Sequence, residues 1–140
     1  MFAEVITDIS NFNVNKSFYY KIPSELNNKD IIGYRVEVPF GTRIIQGYVL
    51  NTFKEYTGDA DISNFKYIKK IKDDFPVLTK ELILLSNVMA EELFCTRIQA
   101  IETLIPTIFK NKYIDINRDK DFLFEVIKLD LSKMTIYSFV

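Results

Sequence analysis

The chain has 140 residues, 48% hydrophobic and 26% charged, which is typical of one globular domain that is long enough to bury a core. Its formal net charge is −1, from 18 basic and 19 acidic residues, and this excludes the basic excess of a protein that coats nucleic acid non-specifically. Any nucleic-acid site must therefore be local. The absence of histidine and the single cysteine, Cys95, exclude the usual zinc sites and the commonest general base.

The sequence also lacks the motifs of phosphate-binding enzymes and of membrane or secreted proteins. No glycine stands in a G-x-x-x-x-G-K-[ST] or G-x-G-x-x-G phosphate loop, so we expect no catalysis and no cofactor in these residues. No apolar run approaches the roughly 18 residues that span a bilayer, and the N-terminus lacks the pattern of a signal peptide. One cysteine fits a reducing compartment. We therefore expect a cytoplasmic protein with no membrane partner.

The first half of the chain has the pattern of short strands. Residues 2–9 and 17–22 each predict a strand, and Pro23 stops the second. In the next predicted strand Val36 and Val38 alternate with Arg35 and Glu37, the period of a half-buried strand with one solvated face.

A Pro-Phe-Gly corner at 39–41 then reverses the chain, because Pro39 cannot donate to a ladder and Gly41 can take a positive φ. The return run, residues 44–50, is apolar on both faces, which predicts a central or barrel strand.

The second half changes character. Residues 51–64 contain the least apolar stretch and predict a surface loop, and residues 65–71 predict a fifth strand whose edge lysines are most simply solvated. Thr79 is a good N-cap for a helix over residues 80–93, whose apolar face would hold the following side chains at helical spacing: Leu82, Leu85, Met89 and Leu93. After a break at 94–96, a second amphipathic helix ends before Pro106.

The fold class predicted from these elements is mainly β with α, that is α+β: a small β-barrel followed by a helical hairpin. We place the barrel and its helices in residues 1–109. Residues 110–140 are predicted to be a linker and the start of a following, truncated module, in which Ser132 caps a helix. The apolar end at Ser-Phe-Val suggests that the chain was cut from a longer one.

Seven short motifs stand in the order and spacing of one family: Phe2-Ala3-Glu4-Val5-Ile6, Phe18-x-Tyr20-x-x-Pro23, Arg35-Val-x-Val-Pro-Phe-Gly41, Gln46-Gly47, Leu78-Thr79, Cys95, and Leu104-Ile105-Pro106. Over residues 2–113 the chain resembles the N-terminal domain of primosomal protein N′ (PriA), the bacterial helicase that restarts stalled replication forks. The resemblance implies an OB-like barrel that holds the 3′ end of the nascent leading strand, whatever its base. It also implies forked or single-stranded DNA, primosome proteins and single-strand-binding proteins as partners. The rest of the family's protein would supply a winged helix, expected beyond Tyr113, the ATPase lobes and a cysteine-rich zinc module. ATP, Mg and Zn would be used by those other parts.

Carried over residue by residue, the family's 3′-end pocket falls on Phe18, Tyr19, Tyr20, Gly41 and Lys66. An aromatic face at Phe18 or Tyr20 could stack on the terminal base, an interaction that tolerates any sequence. Arg43 is a possible phosphate contact that ranks below Lys66. The chain departs from the family at Tyr19, where aspartate is common, and a phenol can donate or accept a hydrogen bond but carries no charge near neutral pH.

Simpler interpretations stand beside these. Without the family, Phe18 and Tyr20 are core residues, Gly41 is a turn glycine, and Lys66, Lys69, Lys70 and Lys72 form a solvated edge. Small β-barrels also bind partner proteins through the same faces, so the second hypothesis for the whole chain is a protein-interaction module.

Overall fold

The computed structural model describes residues 1–9 and 16–110. Five strands and two helices occupy these residues, together with three short 3-10 helices: β1 Phe2–Thr7, β2 Ser17–Lys21, β3 Arg35–Phe40, β4 Arg43–Phe53, β5 Lys70–Ile71, α1 Lys80–Glu92 and α2 Arg97–Leu104. The strands form one antiparallel sheet in the order β2-β1-β4-β3-β5. The predicted α+β class is confirmed, with a sheet consistent with an OB-like domain.

The two edges of the sheet are joined by the segment 66–72. At its start, the Lys21 N–H donates to the Lys66 carbonyl (2.8 Å) and the Ile68 N–H donates to the Lys21 carbonyl (3.0 Å). Further along, the Lys69 N–H donates to the Glu37 carbonyl on β3 (2.9 Å). The fifth strand predicted over residues 65–71 is therefore divided between two partners, and only Lys70–Ile71 pairs as a strand.

Both faces of β4 are buried over residues 46–50, as the sequence predicts for a barrel strand, whereas Ile44 at the start of the predicted run is 59% exposed. Val49 packs inside the barrel, in a cluster with Val5, Val36 and other fully buried side chains. Tyr48 and Leu50 point the other way, into a second cluster with apolar residues of β1, of the 75–78 segment and of both helices. β4 is thus the layer shared by the barrel and the helical hairpin.

The expectation of a solvated face on β3 is wrong for Arg35. Arg35 lies opposite Tyr48 in the β3–β4 register, on the side that the second cluster covers, and it is 0% exposed. Its guanidinium donates to both carboxylate oxygens of Asp73, from Nε at 2.8 Å and from Nη2 at 2.6 Å. The two charges are buried as a bidentate pair.

The solvated edge is also wrong for one lysine. Lys72 is 3% exposed, whereas Lys66, Lys69 and Lys70 are exposed. The Lys72 N–H donates to the Arg35 carbonyl (3.0 Å), so the backbone hydrogen bonds to β3 continue one residue beyond β5.

The hairpin between β3 and β4 turns where the sequence predicts. Gly41 has φ +58°, a left-handed conformation that favours glycine. Pro39 pairs with Ile44 and Phe40 with Arg43, so pairing runs past the proline and stops only at the two-residue turn.

The helix bounds agree with prediction, but the buried stripe of α1 agrees only in part. α1 ends at Glu92, and Phe94 takes φ +51° in the predicted break before α2. Leu85 and Leu93, expected on the apolar face, are 44% and 64% exposed. The buried positions are instead Ile83 and Ser86. The Ser86 hydroxyl donates to the Ile83 carbonyl (2.6 Å), which satisfies it within the helix. Leu82 of the predicted stripe does pack against the second cluster, and Met89 is half-buried. Apolar residues surround much of this helix, so spacing alone selects only part of the buried stripe.

Thr79 caps α1 as predicted, since its side chain accepts from the Leu82 N–H at 3.2 Å. We expect Thr79→Ala to lower the free energy of unfolding by about 1 kcal/mol, the usual cost of losing such a cap. Urea denaturation checks this, with Thr57→Ala in the exposed loop as the control threonine. A loss equal to that of the control would contradict a capping role.

Within residues 1–9 and 16–110 no helix is long and apolar enough to cross a membrane. The linker and further module predicted for 110–140, with the cap at Ser132, fall almost wholly outside the described residues, which end at Lys110.

Candidate functional site

A surface hollow of about 340 Å³ opens between strand β2 and the β3–β4 corner. Residues of the loop before β5 close its third side. Its lining is Ser17, Phe18, Tyr19, Tyr20, Pro39, Phe40, Gly41, Ala60, Asn64, Phe65 and Lys66. All five residues that the resemblance assigns to a 3′-end pocket lie in this one hollow, although they come from three separate parts of the chain.

The position of β2 at an edge of the sheet explains how three consecutive aromatic residues share a hollow. Side chains alternate along a strand, so Tyr19 points away from Phe18 and Tyr20. Beside an edge strand, however, a hollow is reached from both faces. The backbone N–H and C=O groups of Lys21 point away from β1, because they hydrogen-bond to the 66–68 segment. Backbone orientation alternates along an antiparallel strand, so the N–H and C=O groups of Ser17 and Tyr19 point the same way. Their N–H and C=O groups are directed towards the hollow.

Two of the three aromatic residues belong mainly to the barrel. Tyr20 is 5% exposed and its hydroxyl donates to the Pro39 carbonyl at 3.1 Å. Burial raises the pKa of Tyr20 to about 12, so its phenol stays neutral and holds the β3 end of the hollow. Phe18 is half-buried and packs edge-on against Phe40, with ring centroids 5.2 Å apart. The rings of Phe18 and Phe40 both contribute apolar surface to the lining.

Tyr19 lies on the outer face, in a cluster that we call the outer aromatic cluster: Phe2, Tyr19, Phe53, Tyr56 and Phe65. The Tyr19 and Phe65 rings are nearly parallel, at 18° and 6.2 Å between centroids. The Tyr56 ring meets Tyr19 edge-on at 4.9 Å. Burial, with smaller effects from the Glu4 carboxylate and Tyr56, raises the pKa of Tyr19 above its ordinary value. Its phenol is thus neutral near pH 7 and does not repel a phosphate.

The cation of the hollow is held at its rim. The Lys66 ammonium donates to the Gly41 carbonyl at 3.2 Å, across the gap between the loop and the β3–β4 turn. Lys66 and Gly41 are both exposed, so the ammonium keeps donor capacity for a ligand. A Cβ built on Gly41 has no atom within 4 Å, so the turn leaves open space beside the hollow.

Arg43, the possible phosphate contact, lies outside the lining. It is exposed at the start of β4, opposite Phe40. Sequence reasoning missed Phe40 and Phe65, which are chain neighbours of the assigned Gly41 and Lys66. Proximity in sequence could have indicated them. No signal in the sequence indicated Ala60 and Asn64, because only folding brings that loop against β2.

Comparison with known proteins gives consistent results. The model of the 3′DNA-binding domain (3′BD) family matches residues 4–106. Over 112 residues the chain is 39% identical to the replication restart protein PriA of Bacillus subtilis (strain 168). That match covers 80% of this chain but 14% of the relative, so the chain spans a small part of the relative's length. The family match and the identity together show that this chain belongs to the 3′DNA-binding domain family.

Proposed function

We propose that the hollow beside β2 binds the 3′-terminal nucleotide of a DNA strand, and that the chain serves to recognise the end of the nascent leading strand at stalled replication forks. The observation that carries the proposal is the convergence of the five assigned residues around one hollow. Its volume of about 340 Å³ falls in the range of roughly 300–1,000 Å³ that is usual for small-ligand sites.

The chemistry of the lining suits a terminal nucleotide of any base. Aromatic side chains offer apolar surface to a base without reading its edge. The backbone groups of Ser17 and Tyr19 can pair with a sugar hydroxyl, and Lys66 can donate to a phosphate or to a base acceptor. A 3′-phosphate would add bulk and about two negative charges where the free hydroxyl must fit, so we expect the hollow to bind a phosphorylated end less tightly than a free end.

Tyr19 is the residue whose role decides how specific the site is. Where aspartate would accept a hydrogen bond from the terminal hydroxyl, the neutral phenol of Tyr19 can accept or donate. Its ring also borders the hollow. We propose that Tyr19 preserves the hydrogen bond to the end and adds a stacking surface.

We expect the 140-residue chain to bind a short single strand with a free 3′-hydroxyl at least tenfold more tightly than the same strand with a 3′-phosphate. Lys66→Ala should weaken binding of the free end by at least about tenfold, because a hydrogen bond to a charged group contributes roughly 1.5–3 kcal/mol and about 1.4 kcal/mol is a factor of ten. Fluorescence anisotropy at low salt measures both. Lys80→Ala is the matched control, since Lys80 is an exposed lysine at the start of α1, which packs on the opposite side of β4.

Each outcome discriminates. Equal affinity for the two strands would overturn recognition of the end and leave a plain DNA-binding barrel. If a folded chain bound neither strand, the result would support the protein-interaction module. The family match does not favour that alternative. Tyr19→Asp should keep the preference for the free end. Tyr19→Ala should lose affinity for both strands.

We propose the wider role of the chain from its similarity to the replication restart protein PriA. The chain would be a non-catalytic DNA-binding part of an ATP-dependent replication-restart helicase in the bacterial cytoplasm. ATP, Mg and Zn would then be bound by other parts of that protein. Primosome proteins and single-strand-binding proteins would meet the complete protein at the fork.

A further inference from the structure

A second hollow lies beside the first on the outer face of the barrel. Its volume is about 220 Å³, and it is lined by Tyr19, Phe53, Glu55, Tyr56, Thr57 and Gly58. Nothing in the proposed function for the terminal nucleotide uses Phe53, Tyr56 or the 55–58 loop. This hollow therefore has no assigned role.

Tyr19 lies between the two hollows and lines both of them. The outer aromatic cluster continues across it: Phe65 lines the first hollow and is near-parallel to Tyr19, while Tyr56 lines the second and meets Tyr19 edge-on. A strand whose last nucleotide occupies the first hollow can thus pass over Tyr19 and reach a second aromatic site without leaving the surface.

The rings of the second hollow are arranged as walls rather than as a filled core. Tyr19 meets Phe53 at 6.3 Å with 50° between ring planes, and it meets Tyr56 at 4.9 Å with 61°. All three side chains are half-buried, so each keeps part of its surface open to a ligand. Inclined aromatic walls with accessible faces suit a flat, apolar-faced group such as a nucleobase.

Gly58 fixes the outer wall. A Cβ added there would overlap the hydroxyl end of the Tyr56 ring, so the glycine allows that ring to lie against the loop backbone. Any larger residue would displace the ring.

The opposite charges of the two hollows favour one placement of the phosphates of a bound strand. Lys66 stands at the rim of the first hollow and Glu55 lines the second. A phosphate is attracted to the ammonium and repelled by the carboxylate. The second hollow is therefore suited to the base of a nucleotide, whose phosphates would lie on the side of Lys66.

From this geometry we propose that the second hollow binds the base of the penultimate nucleotide, stacked against Tyr19 and Tyr56, so that the domain reads two nucleotides from the 3′ end. This inference rests on the proposed function, since the first hollow must hold the terminal nucleotide.

The test uses three short oligothymidines with free 3′-hydroxyls and the 140-residue chain. One strand is intact, one is abasic at the penultimate position, and one is abasic near its 5′ end. We expect the penultimate abasic site to weaken binding by about tenfold, the loss of one stacked base, and the distal abasic site to have little effect. Fluorescence anisotropy at low salt gives the affinities.

Variants then locate the effect. Tyr56→Ala should weaken binding of the intact strand by about tenfold and should make the further loss at the penultimate abasic site clearly smaller, because both changes remove the contact between the base and Tyr56. Tyr56→Leu fills the position without an aromatic face and should behave like the alanine variant, which separates stacking from folding. Tyr56→Phe should retain binding. Tyr67→Ala is the control, as Tyr67 is a 56% exposed tyrosine outside both hollows.

Two negative outcomes are distinguishable. If the chain prefers a free 3′ end but binds the intact and penultimate-abasic strands equally, the second site is overturned and the proposed function stands. If the folded chain shows no preference for a free 3′ end, the proposed function fails and this inference fails with it.

Discussion

Replacing Asp73 with alanine is expected to lower the free energy of unfolding by about 3–5 kcal/mol, because the change leaves the Arg35 guanidinium buried without its bidentate partner. Both side chains are 0% exposed, so the remaining guanidinium would lie away from bulk solvent. Urea denaturation followed by circular dichroism measures the loss.

Two comparisons test the cause. Asp59→Ala removes a carboxylate from an exposed loop and should change stability by less than about 0.5 kcal/mol. The double change Arg35→Met with Asp73→Leu removes both charges and should recover much of the loss, since apolar replacements of buried pairs are often neutral. A loss in Asp73→Ala no greater than in Asp59→Ala would contradict the buried pair.

The pair has a consequence for the candidate site. Asp73 follows directly on Lys72, whose N–H donates to the Arg35 carbonyl, at the end of the segment that joins the two edges of the sheet. The same segment carries Lys66 at its start. We therefore expect the Asp73 variant to bind DNA less tightly even where it remains folded, through looser placement of the ammonium.

Gly33→Ala is expected to lower the free energy of unfolding by about 2–5 kcal/mol, the combined effect of backbone strain and overpacking. Gly33 has φ +84°, and a Cβ there would overlap the Leu78 carbonyl oxygen. The obstacle is backbone that Gly33 itself holds, because its carbonyl accepts from both Val77 and Leu78 N–H groups at 3.0 and 3.1 Å. Thermal or urea denaturation gives the value.

Gly41→Ala is the matched control. Gly41 also has a positive φ, but a Cβ there meets no atom within 4 Å, so this variant should show the strain alone, about 1–2 kcal/mol. Equal losses in the two variants would indicate that the 77–78 segment moves aside freely. A larger loss in Gly33→Ala indicates that this contact fixes the segment leading into α1 against the barrel.

Local patterns in the sequence were sufficient for four of the strands and for both helices. Short apolar runs predicted β1, β2 and β4, alternation predicted β3, Gly41 and Pro39 predicted the turn, and the Thr79 cap predicted the start of α1. These features depend on residues close in the chain, so the sequence carries them directly. The motifs also indicated the family that the match over residues 4–106 shows. The assignment of Phe18, Tyr19, Tyr20, Gly41 and Lys66 to a 3′-end pocket stays a prediction, although the structure brings all five to one hollow.

Where prediction failed, the reason was long-range packing. Arg35 alternates with apolar residues as an exposed residue would, and only the arrival of Asp73, 38 positions later, makes burial of its charge possible. Lys72 is also buried by packing that its local sequence does not indicate. The buried positions of α1 depend on what the helix packs against as well as on spacing.

The sequence by itself determined strands β1 to β4, the two helices, the Thr79 cap, the β3–β4 turn and the membership of the family, because each depends on residue types at short spacing. Only the tertiary structure decided that the 66–72 segment would be shared between β2 and β3, that the loop before it would complete a hollow at the open edge of β2, and that Tyr19 would stand between two hollows. Those features depend on which distant backbone groups meet, and hydrogen bonds between distant segments leave no period in the sequence.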